Sequence, residues 1–498
     1  MSQDVLDHAA ALVGQGWALE ALALTQSLVD QPQPSHRALA EHAALLKMLK
    51  RCEEALPFDE QAIARFGQSG VAWHNYAATL GDLGRGAASK AACEKAFALG
   101  LDAAETWGVL ARAELAVGDH DAAETAYRES LRRAPATVTV AAEFANVVWM
   151  RRGDVAEAER IIDACFAAGG AAPPLLLTKA KLIEAAGEQN RAADLLAAAA
   201  KALPEEMALI LAASQAALEA GRLPEAERLV RQAEGVNPDA RSLYNQWAII
   251  HLAAGRPREA LAKARAGLES HPEDQSLWGW AATAARAAGD PLYAELYDYD
   301  AMVGAYDIVA PEGWTSVEDF LADLSKSLKE LHLYQQHPSN QSLLHGSQTM
   351  HLLTGSEDPV IQAFFRAVDA PIRAHMAKLG QGSGPLRGRN TGDYHIDGAW
   401  SVRLRPGGFH KDHFHPLGWL SSAFYVETPD AALESEDRQG WIRFGQPPYA
   451  TQPPMAAEHF VKPKPGRLVL FPSYMWHGTV PFTTDEARMT IAFDAVPK

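Results

Sequence analysis

The chain has 498 residues, long enough for at least two hydrophobic cores, and a formal net charge of −17. Residues 306–498 hold 17 Lys+Arg against 21 Asp+Glu and residues 1–305 hold 28 against 41, a balance that argues against a nucleic-acid partner and favours a neutral or basic one. The only cysteines, Cys52, Cys93 and Cys165, build no disulfide framework, and no signal-like start or membrane-length apolar run occurs, so a soluble cytoplasmic protein without membrane contact is expected.

A period dominates residues 1–305. Gly84, Gly118, Gly153, Gly187, Gly221, Gly255 and Gly289 follow one another at intervals of 34, with a single 35, and the register extends back through Lys50 to Gly16. Five residues after each marker stands a small residue: Ala21, Ala55, Ser89, Ala123, Ala158, Ala192, Ala226, Ala260 and Ala294. Trp73, Trp107, Tyr244 and Trp278 precede their markers by eleven residues, and Pro204, Pro238 and Pro272 close their units. The pattern predicts a helix, a glycine turn and a second helix whose small residue lets the two axes approach closely. Each unit leaves an apolar face that only its neighbour covers, so about nine units stack into an all-α solenoid. This region resembles the tetratricopeptide repeat family.

From about Tyr306 the period stops. Residues 315–333 read as a helix with Thr315 or Ser316 as N-cap, and a second helix is predicted from Pro359 through Leu379. Short β-rich runs follow at Trp400–Leu404, Trp419–Val426, Trp441–Phe444, Arg467–Phe471 and Met489–Phe493. Antiparallel strands at this spacing suggest a barrel or sandwich. The expected organisation is therefore a solenoid over 1–305, a helical linker with supporting helices over 306–380 and a β-barrel core over 381–498.

Histidines concentrate in that barrel, which contains no cysteine, so imidazole and carboxylate ligation of a metal is the chemistry to expect there. Three frames place two ligands on one face of an extended segment: His395 with Asp397, His410 with Asp412, and His413 with His415. The first ranks last, because Gly398 follows it and it reads as a turn before the barrel. His477 supplies a further ligand downstream. His332, His337, His351, His375 and His459 read as ordinary core or surface residues.

The stretch from Trp400 to Phe493 resembles the Fe(II)/2-oxoglutarate-dependent oxygenase superfamily. The resemblance is carried by Gly408 to Pro416, by the strand Leu420-Ser421-Ser422-Ala423-Phe424-Tyr425-Val426, by Pro465 to Pro472 leading into His477, and by Arg488-Met489-Thr490-Ile491-Ala492-Phe493. Gln341-Ser342-Leu343 and Gly346-Ser347-Gln348-Thr349 resemble a block that accompanies this barrel in repeat-containing members. What it implies is a double-stranded β-helix, or jelly roll, with flanking helices. Prolyl-hydroxylase-like relatives place the ligand pair about five residues after the glycine, which selects His413 and His415 to join His477 and leaves His410 as an outer partner. The wider superfamily uses two histidines and a carboxylate, so His410 with Asp412 stays as the alternative frame. Arg488 matches the arginine that clamps the distal carboxylate of 2-oxoglutarate, a task suited to a planar, permanently charged guanidinium, with Thr490 and Tyr425 as hydroxyl partners.

The resemblance thus implies iron(II) as the metal, 2-oxoglutarate and dioxygen as co-substrates, and no side chain acting as a nucleophile. A solenoid fused to such a barrel is similar to the layout of aspartyl/asparaginyl hydroxylases and implies a protein or peptide substrate recruited by the repeat groove. Competing readings are a small-molecule hydroxylase, a non-catalytic scaffold with a degenerate barrel, and a cupin-like metal enzyme that does not use 2-oxoglutarate.

Overall fold

The computed structural model of the protein describes residues 2–350 and 352–498, so His351 lies outside the described residues. The chain divides into two compact units, Met1–Phe144 with Asp163–Gly170, and Ala145–Ile162 with Ala171–Lys498.

From Ser2 to Ala288 the elements are helices. All nine marker positions adopt the left-handed backbone that the turn demands, with φ between 62° and 86°. Glycine reaches that region without steric cost, and Lys50 adopts it despite its Cβ, which fixes the register at the one marker lacking glycine. The eight small residues from Ala21 to Ala260 are fully buried where paired helices touch. Ala294 departs from the pattern: it is exposed, because the second helix of the ninth unit is cut to Leu292–Leu296 and the chain leaves the repeats there. The aromatic positions have a local role, since the indoles of Trp73 and Trp278 donate to the carbonyls of Gly67 and Pro272, six residues back, and so tie each helix start to its turn.

Beyond the repeats the described residues form nine strands: β1 (Gly304–Asp307), β2 (Leu343–Gln348), β3 (Tyr394–His410), β4 (Leu420–Glu427), β5 (Ile442–Phe444), β6 (His459–Val461), β7 (Arg467–Pro472), β8 (His477–Thr479) and β9 (Arg488–Pro497). One antiparallel sheet has the order β1-β7-β4-β9-β3-β2 and the other β6-β5-β8, with His413 bridged to His477 at the edge of the small sheet. The chain alternates between the sheets: β3 large, His413 small, β4 large, β5 and β6 small, β7 large, β8 small, β9 large. Two antiparallel sheets whose strands alternate in this way fit a β-sandwich.

Two expectations change. The segment 306–380 is not purely helical: β1 ends just inside it and β2 lies within it, at opposite edges of the large sheet. β2 escapes a periodicity reading because His345 has a positive φ and a register shift falls between Leu344 and Gly346, so backbone pairing rather than side-chain alternation defines it. The stretch His395-Ile396-Asp397 is strand rather than turn; it belongs to β3, pairs with β9 and carries a bulge before Gly398. The two supporting helices form as Val317–Lys329, capped by Ser316 accepting from the amide of Asp319, and Pro359–Leu379, capped by Asp358. Phe364 of the second packs its ring against Phe424 and Phe493 of the large sheet.

Within the second unit one hydrophobic core runs from the repeat helices Arg241–Ala253 and Gln275–Ala288 into the sheets. Its joint is the segment Tyr474 to Trp476. The Trp476 indole donates to Thr283 Oγ1 at 2.7 Å, the Trp476 amide donates to the Tyr297 hydroxyl at 2.8 Å, and the Tyr474 hydroxyl donates to the Leu296 carbonyl at 3.0 Å. Gly279 makes the approach possible, since a Cβ there would come within 3.0 Å of the Tyr474 carbonyl oxygen.

Candidate metal centre

His413 and His477 exchange both backbone hydrogen bonds, each N···O at 2.9 Å. This hydrogen-bonded antiparallel pair sends the two side chains to the same face of the small sheet, with ring centroids 4.2 Å apart. His415 is held two residues on by its amide donating to the Ser473 carbonyl, and its ring lies 5.2 Å from that of His413 and 5.1 Å from that of His477. One ligand nitrogen from each ring lies within 4.8 Å of the other two.

Hydrogen bonding fixes which nitrogen faces inward. His413 Nδ1 reaches the Lys411 carbonyl at 2.8 Å, His477 Nδ1 the Met475 carbonyl at 3.0 Å, and His415 Nδ1 the Asp494 carboxylate at 2.6 and 2.8 Å. Carbonyls and carboxylates only accept, so Nδ1 carries the proton in all three rings and each Nε2 presents a lone pair. Outer groups of this kind fix the tautomer of metal-binding imidazoles and raise their basicity. Burial also keeps two of these rings neutral: it lowers His413 to about 3, helped by neighbouring His415, and holds His477 well below its usual range. Three imidazoles whose Nε2 atoms converge, each held from behind at Nδ1, fit a divalent first-row metal ion.

The residues of the other frames have different surroundings. Asp412 points away from the three rings into a two-pronged ion pair with Arg443, at 3.0 and 2.6 Å. His410 lies beside the group, its ring 5.6 Å from that of His413, with Nδ1 2.9 Å from Ser342 Oγ. Ser342 Oγ is also 3.2 Å from His413 Nε2. Because that nitrogen has only a lone pair to offer, the hydroxyl donates to His413 and accepts from His410. His395 and Asp397 are solvent-exposed on β3. His332 bridges Ser347 and Ser401, His375 meets the Tyr306 hydroxyl, His337 packs edge-on to Trp149, and His459 stacks on Tyr299, all as structural residues.

A cavity of about 420 Å³ opens beside the three histidines and reaches Arg488 and Thr490 on β9. Arg488 is 2% exposed, and its guanidinium lies over the Tyr425 ring at 5.0 Å. Its Nε is shielded from solvent without a hydrogen-bond partner, the Tyr425 side chain is its polar neighbour, and among the described residues no carboxylate pairs with it. A buried, uncompensated cation is costly. The cavity therefore has the makings of an anion site: a buried guanidinium, the Thr490 hydroxyl and the Tyr425 hydroxyl beside it.

Sequence reasoning missed four participants. Asp494 orients His415 and takes a further bond from Ser421 at 2.7 Å; a lone carboxylate in the apolar run Ile491 to Ala495 was the available signal. Arg443 and Thr283 act through distant pairings that no local pattern reveals, and Ser342, although inside the block Gln341-Ser342-Leu343 named above, had no role attached to it.

A family described as "Putative 2OG-Fe(II) oxygenase" matches residues 398–494, and a tetratricopeptide repeat family matches residues 104–137. The chain thus carries a tetratricopeptide repeat region and, C-terminal to it, a 2OG-Fe(II) oxygenase domain. None of the curated proteins matches it. Solved structures similar to it include the Cut9–Hcn1 hetero-tetramer of the APC/C (15% identity, TM-score 0.34), pilF of Pseudomonas aeruginosa (17%, 0.33) and the C-terminal part of a TPR repeat-containing protein from Cytophaga hutchinsonii (12%, 0.37). These alignments cover 56%, 42% and 48% of this chain and 55%, 94% and 98% of the respective relatives, so the chain spans about half of the first.

Proposed function

We propose that the protein is an Fe(II)/2-oxoglutarate-dependent dioxygenase that hydroxylates a protein or peptide substrate recruited by its repeats. The single observation that carries this reading is the convergence of three Nε2 lone pairs beside a cavity whose far end holds a buried arginine without a counter-ion. His413, His415 and His477 would hold the metal, and Arg488, with Thr490 and Tyr425, the distal carboxylate of 2-oxoglutarate. The chemistry a bound iron(II) ion supplies is the coupled oxidation of 2-oxoglutarate to succinate and carbon dioxide, with one oxygen atom of dioxygen entering a C–H bond.

The chain's own residues do the positioning. Lys411 and Met475 carbonyls and the Asp494 carboxylate aim the rings, so the ligand set is preorganised rather than assembled on binding. Arg488 sits in a low-dielectric wall where a guanidinium–carboxylate pair is stronger than in water. The Phe471 ring packs against His477 at 4.5 Å and supports that ligand from the core. The three free cysteines and the absence of any helix long and apolar enough to cross a membrane, among the described residues, accord with a cytoplasmic setting.

Succinate release from 2-oxoglutarate tests the reading. Arg488→Ala removes the one buried cation of the cavity and is expected to raise the KM for 2-oxoglutarate at least 100-fold, in keeping with loss of a charge-assisted bidentate contact. A second reading, a non-catalytic scaffold, draws on the three-imidazole set in place of the two-histidine, one-carboxylate set. Wild-type protein that releases no succinate and binds no iron would favour it.

A further inference from the structure

Two cavities meet at His413. The smaller contains Arg488; the larger, of about 980 Å³, shares Ser342, His413 and Phe414 with it. One wall of the larger cavity is barrel, formed by Lys411 to Phe414 and Pro448 to Ala450. The other wall comes from the repeat helices Met207–Glu219, Arg241–Ala253 and Gln275–Ala288. All of it lies within the second compact unit.

The repeat wall is a row. Leu211 and Asn245, Ser242 and Ser276, and Gln246 and Trp280 each stand one 34-residue period apart, so successive repeats present equivalent positions to the cavity. A row of equivalent positions along the stacking direction suits a ligand that is itself linear and repeats its polar groups. The polar character is also specific. Asn245 lines the cavity, and its Oδ1 makes no hydrogen bond, so its acceptor capacity is unspent. Gln215 is already committed to the Tyr449 hydroxyl at 2.5 Å and to Glu219 at 3.2 Å. Charge is nearly balanced, since Asp412 is paired with Arg443, leaving Glu219 and Lys411 as one acid and one base at the exposed rim. Phe414, Tyr449 and Trp280 supply aromatic surface next to the histidine cluster.

We propose that the larger cavity is the acceptor site and takes an extended polypeptide segment, laid across three repeats, read mainly through its main chain, and delivering one side chain towards His413. Only the last clause rests on the oxygenase reading; the binding itself needs no metal. The repeats are then a wall of the active site rather than a remote recruiting arm.

The test uses the full chain stripped of metal with a chelator. It selects from a phage-displayed library of random linear peptides, and the selected peptides are measured by fluorescence anisotropy. Asn245→Ala is expected to raise their Kd about 5- to 10-fold, the loss of one net hydrogen bond. Leu211→Arg, which puts a long cation into the row, is expected to raise it more than about tenfold. Main-chain reading further requires that Kd change less than about twofold between about 50 and 300 mM salt. Failure to enrich any peptide, equal binding by both variants and wild type, or a steep salt dependence overturns the proposal. The visible band of the anaerobic Fe(II) and 2-oxoglutarate complex is read on the same three proteins. Peptide binding without that band sinks the oxygenase reading and leaves the acceptor site standing; the band without peptide binding does the reverse.

Discussion

Ser342 shows how much of the centre depends on single atoms. Its hydroxyl donates to His413 Nε2, the lone pair a metal needs, and accepts from His410 Nδ1. Metal binding must turn that proton away. Ser342→Ala removes the competitor, so the affinity for Co(II), a spectroscopic substitute for iron, is expected to rise about fivefold, one net hydrogen bond's worth. An affinity that falls instead would mean that Ser342 orients the ring rather than competes for it. At this scale the grouping of residues was partly legible in the sequence: His413, His415, His477, Arg488, Thr490 and Tyr425 were named through a family resemblance, and the fold brings the three histidines together and sets Arg488 over Tyr425. The choice between ligand frames was not legible, because it turns on Asp412 finding Arg443 across the small sheet at a separation of 31 residues.

Among elements, the joint between the helix Gln275–Ala288 and the segment before β8 matters most. Trp476 adjoins His477 and sends its indole N–H to Thr283, on a repeat helix 193 residues earlier. Thr283→Val keeps the shape and deletes the acceptor, leaving a buried N–H unpaired. A weakening of Co(II) affinity of roughly tenfold is expected, the lower end of what outer-sphere partners contribute, with recovery in Thr283→Ser. An unchanged Co(II) affinity and spectrum in Thr283→Val would reduce the contact to packing. The repeats themselves were legible from a 34-residue glycine period because a left-handed turn leaves a mark at every unit. β1, β2, β6 and β8 were not, since strands of three to six residues at sheet edges carry too few alternating side chains to stand out.

At the scale of the molecule, stability should follow three histidines of the second unit, His337 and His375 buried and His332 largely so. Burial lowers His332, His337 and His375 to about 4 from the usual 6.5, with Arg403 adding to the effect at His332. Each ring stays neutral in the folded chain while its unfolded counterpart takes up a proton below about pH 6.5. Their contribution is therefore whole above pH 6.5 and is lost as the pH falls from 6.5 to 4, at up to about 1.4 kcal/mol per pH unit for each group. Urea midpoints followed by tryptophan fluorescence should drop between pH 7 and pH 5; a flat profile would count against neutral burial. The intact molecule is proposed to bind iron(II) through His413, His415 and His477 and 2-oxoglutarate through Arg488. The most direct measurement is the visible charge-transfer absorption of the intact protein on anaerobic addition of Fe(II) and 2-oxoglutarate. The expected result is a band that needs both additions, disappears in His477→Ala and requires far more 2-oxoglutarate in Arg488→Ala. A wild-type protein that develops no band, or a band indifferent to both substitutions, would contradict the claim.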